Sequence, residues 1–238
     1  MHGETSLRGG FLVQGYQNNF IVDSCSSSGT IRGVLEGETN RAGGGICGHQ
    51  CSGAVLLINC WSTGPIKGGL AGGIAGRRIG YNGGEVNITI CWSEGDIDGD
   101  QNGGICGTQA GGQGGYVLIT KSYSKGEIKG SGSGGICGAA PGRFSGHVKI
   151  SQCYTTGKIS GEGSGGLAGK WVSMNNGHVE IVNSYTLGEI TASGNAGGIC
   201  GAEAMGILRI TNVYASGNIS QGSGWRYYWT CCVQYWGN

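Results

Sequence analysis

The sequence predicts an all-β protein: a parallel β-solenoid (β-helix) of about seven coils, with roughly 31 residues and three short strands per coil. A Gly-Gly-Ile-Cys-Gly phrase or close variant begins at positions 44, 72, 103, 134, 165 and 197, so the successive steps are 28, 31, 31, 31 and 32 residues. A second phrase of the type Cys-Trp-Ser-x-Gly-x-Ile keeps the same period. Its seven copies begin at Cys25, Cys60, Cys91, Ser122, Cys153, Ser184 and Val213. Two phrases in step indicate one copied structural unit.

Composition excludes several other classes. Glycine contributes 55 residues, but it does not fall at every third position and only two residues are proline, which excludes collagen. Hydrophobic residues make up 38% and recur in register, which argues against disorder. Charged residues make up 12% with a formal net charge of +1, so nucleic acid and anionic membranes are not expected partners. No apolar run approaches the ~20 residues of a transmembrane helix.

Each element of the coil follows from its own pattern. One strand is predicted at the Gly-Gly-Ile phrase, one at an alternating Val-x-Ile segment such as Val117–Ile119, and one at Gly-x-Ile. Glycines are expected at every corner, where the backbone needs positive φ. An antiparallel sandwich is the main alternative, but it gives no reason for a 31-residue period. The chain then divides into a lead-in or cap (1–19), the repeats (20–220) and an aromatic tail (221–238).

Two adjacent columns of residues define the corner between the last two strands. The phrase-initial column contains only small residues and is expected to point inward. The aromatic column beside it should then face outward, either as a stabilising stack or as a ligand-facing stripe. It comprises Trp61, Trp92, Tyr123, Tyr154, Tyr185 and Tyr214, with Ser26 in the first copy.

The phrases Gly-Gly-Leu-Ala-Gly at 165–169 and Asn-Ser-Tyr-Thr-Leu-Gly-Glu-Ile at 183–190 resemble the GLUG motif. This short repeat occurs in bacterial surface proteins, including adhesin-like and peptidase-associated ones, and in some eukaryotic proteins. The resemblance extends from about Ser24 to Ser220. It implies a repeat scaffold in large, mostly extracellular proteins and carries over no catalytic residues. Cysteines stand where the family usually has a small aliphatic residue, at Cys47, Cys106, Cys137 and Cys200.

Cysteines and histidines give no clear site. Parallel in-register Cβ vectors suit a disulfide poorly, so the column cysteines are expected to be buried thiols. The cysteines outside the columns, Cys51, Cys231 and Cys232, are better candidates for disulfides. Cys47-Gly-His49-Gln-Cys51 lacks a second pair of zinc ligands. Neither a metal nor another cofactor is expected. His147 and His178 share one repeat position and are expected to stack on the surface.

Catalytic signals are weak. The best carboxylate cluster is Glu94, Asp96, Asp98 and Asp100, which fits acid–base chemistry or Ca²⁺ but also an ordinary solvated column. Ice binding needs a flat Thr-x-Thr face, whereas the hydroxyl column is single. That column comprises Ser62, Ser93, Ser124, Thr155 and Thr186. We therefore expect no catalytic residues.

Two features are typical of partner surfaces. Four loops leave the same point of successive coils and differ in sequence: Arg77–Glu85, Thr108–Tyr116, Ala139–His147 and Lys170–His178. The tail concentrates six aromatic residues that either cap the solenoid end or dock a partner. They are Trp225, Tyr227, Tyr228, Trp229, Tyr235 and Trp236.

The expected function is a non-catalytic structural or adhesive element, in sharper form a subunit of a surface filament or larger extracellular assembly. Its partners would be further copies or other structural proteins at the solenoid ends, with glycans as a further possibility. The alternative is a carbohydrate-binding or polysaccharide-cleaving β-helix. The location expected is extracellular or at a cell or particle surface, although the first ten residues lack the pattern of a signal peptide.

Overall fold

The computed structural model describes residues 19–33, 42–192 and 194–218, and it confirms the parallel β-solenoid. Every pair of strands in this part is parallel, and no helix occurs there. The strands are β1 (Phe20–Asp23), β2 (Ser26–Ser27), β3 (Ile31–Arg32), β4 (Ala54–Ile58), β5 (Trp61–Ser62), β6 (Ile66–Lys67), β7 (Glu85–Thr89), β8 (Trp92–Ser93), β9 (Ile97–Asp98), β10 (Tyr116–Thr120), β11 (Tyr123–Ser124), β12 (His147–Ser151), β13 (Tyr154–Thr155), β14 (His178–Thr186) and β15 (Ile207–Ala215).

The Val-x-Ile segments form the longest wall of the solenoid. Seven strands stack there in the order β1-β4-β7-β10-β12-β14-β15. The register places equivalent residues of neighbouring coils opposite each other: Ile88, Ile119 and Ile150 are successive Cα partners. Because the Gly-Gly phrase occurs six times, the described residues make about six turns. Ile88, Ile119 and Ile150 are fully buried, so the Val-x-Ile segments supply a column of the interior.

The other strands are shorter than those of the long wall. The aromatic column forms a second wall of two-residue strands, β2-β5-β8-β11-β13, which β14 continues. The Gly-x-Ile segments form β3-β6-β9 and then continue as single bridges from Ile97 through Ile128 and Ile159 to Ile190. The predicted lead-in (1–19, apart from Asn19) and tail (221–238) lie outside the described residues.

The Gly-Gly-Ile phrase was expected to be a strand, but it pairs with its neighbours only as isolated bridges. The amides of Ile74 and Ala75 both donate to the carbonyl of Ile105, at 3.0 and 2.9 Å, which interrupts the alternation of a ladder. The paired glycines are required by space. A Cβ on Gly104 would collide with the carbonyl of Gly135 and with the side chain of Ser124. Only a backbone without side chains can pass through the interior here.

Two separate hydrophobic clusters fill the interior of the solenoid. The larger contains the long-wall residues such as Val117 and Ile119, the isoleucines of the Gly-Gly phrase and the phrase-initial cysteines. The smaller contains the Gly-x-Ile isoleucines, packed against Ala42, Ala71 and Ala192. Both clusters run along the axis of the solenoid.

One corner contradicts the expectation that glycine occupies every turn. The residue between the long wall and the aromatic wall has φ between 49° and 56° in all seven copies, yet none is glycine. These residues are Ser24, Asn59, Ile90, Lys121, Gln152, Asn183 and Asn212. A single left-handed residue turns the chain while its side chain stays outside. Asparagine tolerates this conformation well, whereas the β-branched Ile90 does not.

Candidate functional site

The aromatic column forms a continuous ladder of rings along the outside of the solenoid. Consecutive rings from Trp61 to Tyr214 stack with centroids 4.9–5.9 Å apart and interplanar angles of 4–12°. Lys125 Nζ lies 5.1 Å from the centroid of Tyr123. The parallel register sets this spacing, because each ring sits directly above its counterpart in the previous coil.

Stacking changes what the ladder can bind. The flat face of an inner ring is covered by the rings above and below, so its edge is what it presents to solvent. Tyr214, the last ring, is 52% exposed, in contrast to the half-buried Tyr185 beneath it. A ligand platform needs free ring faces, so the ladder is suited to stabilising the solenoid and to being extended at its ends.

The hydroxyl column beside the ladder points inward. Ser62, Ser93 and Ser124 are buried, and their Oγ atoms have no hydrogen-bond partner among the described residues. Thr155 Oγ1 donates to the carbonyl of Gly166 at 2.8 Å. A buried column offers no outer face for ice, so the ice-binding alternative fails.

The four variable loops differ in sequence but share one backbone. The amides of Gln113 and Phe144 donate to the carbonyls of Arg143 and Met174 in the next coil, at 2.9 and 3.0 Å. Each loop therefore extends the stack as a regular edge, which we call the loop edge (77–84, 108–115, 139–146 and 170–177).

Several loop residues adopt positive φ. The pairs at 82–83, 113–114, 144–145 and 175–176 are each left-handed at both positions, as in a type I′ turn. Asn-Gly at 82–83 suits this geometry, whereas Phe144 has φ 58° and remains 39% exposed. Trp171 is also left-handed, with φ 62°. Aromatic residues have no intrinsic reason to occupy these positions.

The loop edge also gathers cations over aromatic rings. The guanidinium carbon of Arg78 lies 4.8 Å from the ring centroid of Tyr81, and that of Arg143 lies 4.3 Å from that of Phe144. Lys170 Nζ lies 4.2 Å from the centroid of Trp171, whose Nε1 donates to Glu203 Oε2 at 2.9 Å. Sequence reasoning missed this clustering, because the three cation–ring pairs come from three different coils.

The acidic cluster on the third coil has structural partners. Asp96 Oδ1 and Asp100 Oδ1 accept from the amides of Glu127 and Ser131, at 3.0 and 2.9 Å. Glu94 pairs with Lys125 Nζ at 2.8 Å. Among residues 19–33, 42–192 and 194–218, no group of three His, Cys, Asp or Glu side chains is placed to hold a metal.

The column thiols line the core as expected. No two cysteines of the described residues form a disulfide. Burial raises the pKa of the Cys153 thiol to about 12, and burial followed by a hydrogen bond with Cys137 raises the pKa of Cys106. Cys51 was a candidate for a disulfide, but it lies buried in the core, where its hydrogen bond raises the pKa of Cys47. Cys231 and Cys232 lie outside the described residues.

His147 and His178 stack as the sequence predicted. Their ring centroids are 4.4 Å apart with an interplanar angle of 7°, and Tyr116 meets His147 edge-on at 5.0 Å. Burial and then the neighbouring His178 lower the pKa of His147. The stack forms a half-buried column on the long wall.

The C-terminal end of the described solenoid is open. Within the described part, β15 pairs with β14 alone, so its other edge has no partner strand there. Ile207 and Tyr214 on this strand are 47% and 52% exposed. The six tail aromatics predicted to cap or dock this end, Trp225 to Trp236, lie outside the described residues.

Comparison with known proteins adds no family. No family model matches the chain, and no curated protein or solved structure matches it at a significant level. The GLUG resemblance therefore stays a prediction. No helix among the described residues is long and apolar enough to cross a membrane.

Proposed function

We propose that this chain is a non-catalytic structural or adhesive β-solenoid, and that it acts as a subunit of a surface filament or larger extracellular assembly. The observation that carries the proposal is the open end at β15. A nine-residue strand with an unpaired edge in the described part is a template for another strand. Partly exposed core residues lie on this strand, such as Leu208, and elsewhere in the same coil, such as Ile199.

The ladder supports association through the ends. Tyr214 has a free ring face, and another aromatic residue placed there would continue the stack. Residues 219–238 of this chain or a second subunit would supply that group. GLUG-like repeats in extracellular scaffolds agree with this role.

The alternative, a polysaccharide-cleaving β-helix, has less support. It needs a carboxylate pair free to exchange protons, and the side chains of Glu94, Asp96 and Asp100 are already held by an ion pair or by backbone amides. The ladder, with its inner ring faces covered, is also a poor sugar platform.

Sedimentation velocity tests the proposal. The intact chain should form concentration-dependent oligomers, and removal of Trp225–Asn238 should release monomers or cause aggregation. Ile207→Lys should weaken association because it places a charge on the exposed end strand. Leu118→Lys on the central strand β10 is the matched control and should leave association unchanged. If the intact and trimmed chains are both monomeric at high concentration, association through the tail is wrong.

A further inference from the structure

The four stacked loops carry charge of one sign. Residues 77–84, 108–115, 139–146 and 170–177 contain no aspartate or glutamate. Their four charged side chains are Arg77, Arg78, Arg143 and Lys170. The whole chain has a net charge of only +1, so the fold concentrates positive charge that the composition conceals.

Three of these cations, Arg78, Arg143 and Lys170, are not neutralised by any described residue. None of the three forms an ion pair with a described residue, and Arg78 Nε donates to the amide oxygen of Gln109 at 2.8 Å. Arg143 Nε is shielded from solvent and has no hydrogen-bond partner there. Burial, together with the like charges of Arg78 and Arg143, lowers the pKa of Arg77 to about 10. Arg78 and Arg143 therefore lie close enough to Arg77 to repel it, and an anion bound by Arg78 and Arg143 would reduce that repulsion.

Aromatic side chains accompany the cations at a conformational cost. A non-glycine residue in the left-handed region loses about 1–2 kcal/mol. Phe144 and Trp171 both adopt this left-handed conformation. At the position of Phe144, other coils have Asn82 or Asn175. The fold imposes this conformation on the equivalent residue of other coils as well, so backbone preference does not explain why aromatic side chains stand at these two positions. A ring beside a cation can contact the C–H surface of a sugar while the cation binds an acidic group.

We propose that the loop edge binds an acidic glycan, a chain of sugars bearing carboxylate or sulfate groups, which runs along the solenoid axis. Arg78 and Arg143 stand two coils apart, roughly 10 Å along that axis, so the charges are spaced to meet successive acidic groups of an extended polymer. Guanidinium groups bind such groups through paired hydrogen bonds. Phe144 packs against the sugar rings, whereas Trp171 is already held by Lys170 and by the carboxylate of Glu203. This site is separate from the ends that the proposed function uses.

The test uses the full chain with polygalacturonate, dextran sulfate and neutral dextran as probes. The two acidic probes distinguish carboxylate from sulfate recognition. We expect binding to at least one acidic probe that weakens with salt, and none to neutral dextran. The double variant Arg78→Gln/Arg143→Gln should lose affinity by more than about tenfold. The matched control Lys125→Gln/Lys158→Gln removes the same charge from elsewhere on the surface and should change affinity less than about twofold.

Further outcomes decide whether the partner is a glycan. Phe144→Ala should weaken binding without changing its salt dependence, since it removes a sugar contact and no charge. If the loop-edge double variant and the control double variant lose the same affinity for the acidic probe, binding depends only on the net charge of the protein, and the proposal is overturned. No effect of Phe144→Ala would overturn the glycan assignment. So would low-salt self-association that Arg78→Gln/Arg143→Gln abolishes, which would identify an acidic surface of a second copy as the ligand.

Discussion

The central coils and the last described coil contain the same phrases, but their residues are buried to different degrees. In the coil that starts at Gly165, Leu167, Val179 and Ile181 are fully buried. Their counterparts in the next coil, such as Ile199 and Ile210, are only partly buried. Burial in this molecule is therefore completed only where a coil has neighbours on both sides, as the partly buried Phe20 and Val22 of the first described coil also show. Stability depends on nearest-neighbour contacts, so an end without a neighbour is weak and available for association.

The largest expected difference between these regions comes from a buried charge. Ile119 is fully buried between Ile88 and Ile150. Ile119→Asp leaves an unpaired carboxylate in both coil interfaces and should destabilise the fold by more than about 4 kcal/mol. Chemical denaturation monitored by circular dichroism measures this. The expected result is an unfolded or insoluble protein.

The same substitution in the last coil is the matched control. Ile210 occupies the equivalent position but is partly exposed, so the carboxylate of Ile210→Asp retains access to water. We expect a folded protein that has lost clearly less stability than the Ile119→Asp variant. Equal losses at the two positions would show that another part of the chain covers the end completely.

A smaller effect is expected at the corner, where the central and last coils are alike. Ile90 has φ 55° and Asn212 has φ 52°, so this turn does not depend on the next coil. Ile90→Asn should stabilise the protein by about 1 kcal/mol, because asparagine tolerates the left-handed conformation and the Ile90 side chain is exposed. Ile90→Ala keeps a Cβ in the same conformation and should gain less. A loss of stability in Ile90→Asn would contradict the argument from strain.

The repeat made most of the fold predictable. A period of 31 residues with Val-x-Ile alternation leaves few architectures other than stacked coils, and the register followed directly from aligned phrases such as Ile119 and Ile150. The Gly-Gly phrase was harder to interpret. Its glycines indicated that the backbone passes close to other groups. The hydrogen bonds of two amides to the single carbonyl of Ile105 could not be predicted, because they depend on the path of the neighbouring coil. The corner at Ile90 was missed because its residue types vary and only their backbone conformation is shared.

The candidate surfaces were less predictable, because they too depend on how neighbouring coils are placed. The aromatic column was visible at fixed spacing, and its stacking followed from the parallel register. The loop edge was expected to vary, yet its single sign of charge arises only when Arg78 and Arg143, 65 positions apart in the sequence, are brought to the same edge in coils two apart. Propensity describes neighbours in sequence, whereas a solenoid brings together residues one period apart.

The smallest effect concerns the half-buried His147. Burial and the adjacent His178 and Lys149 lower its pKa below the ordinary value of 6.5, while Glu180 acts in the opposite direction. The unfolded chain then binds a proton at higher pH than the folded chain does. Stability should be fully present above about pH 6.5 and fall as the pH decreases through that value. His147→Phe keeps an aromatic ring in the stack but removes this titration. Urea denaturation at pH 8 and pH 5.5 should therefore show a smaller loss in the variant than in the parent chain, since all other titrating groups are shared. An identical loss in the two proteins would mean that His147 titrates as it does in the unfolded chain, and that the central coils do not shield this column from water.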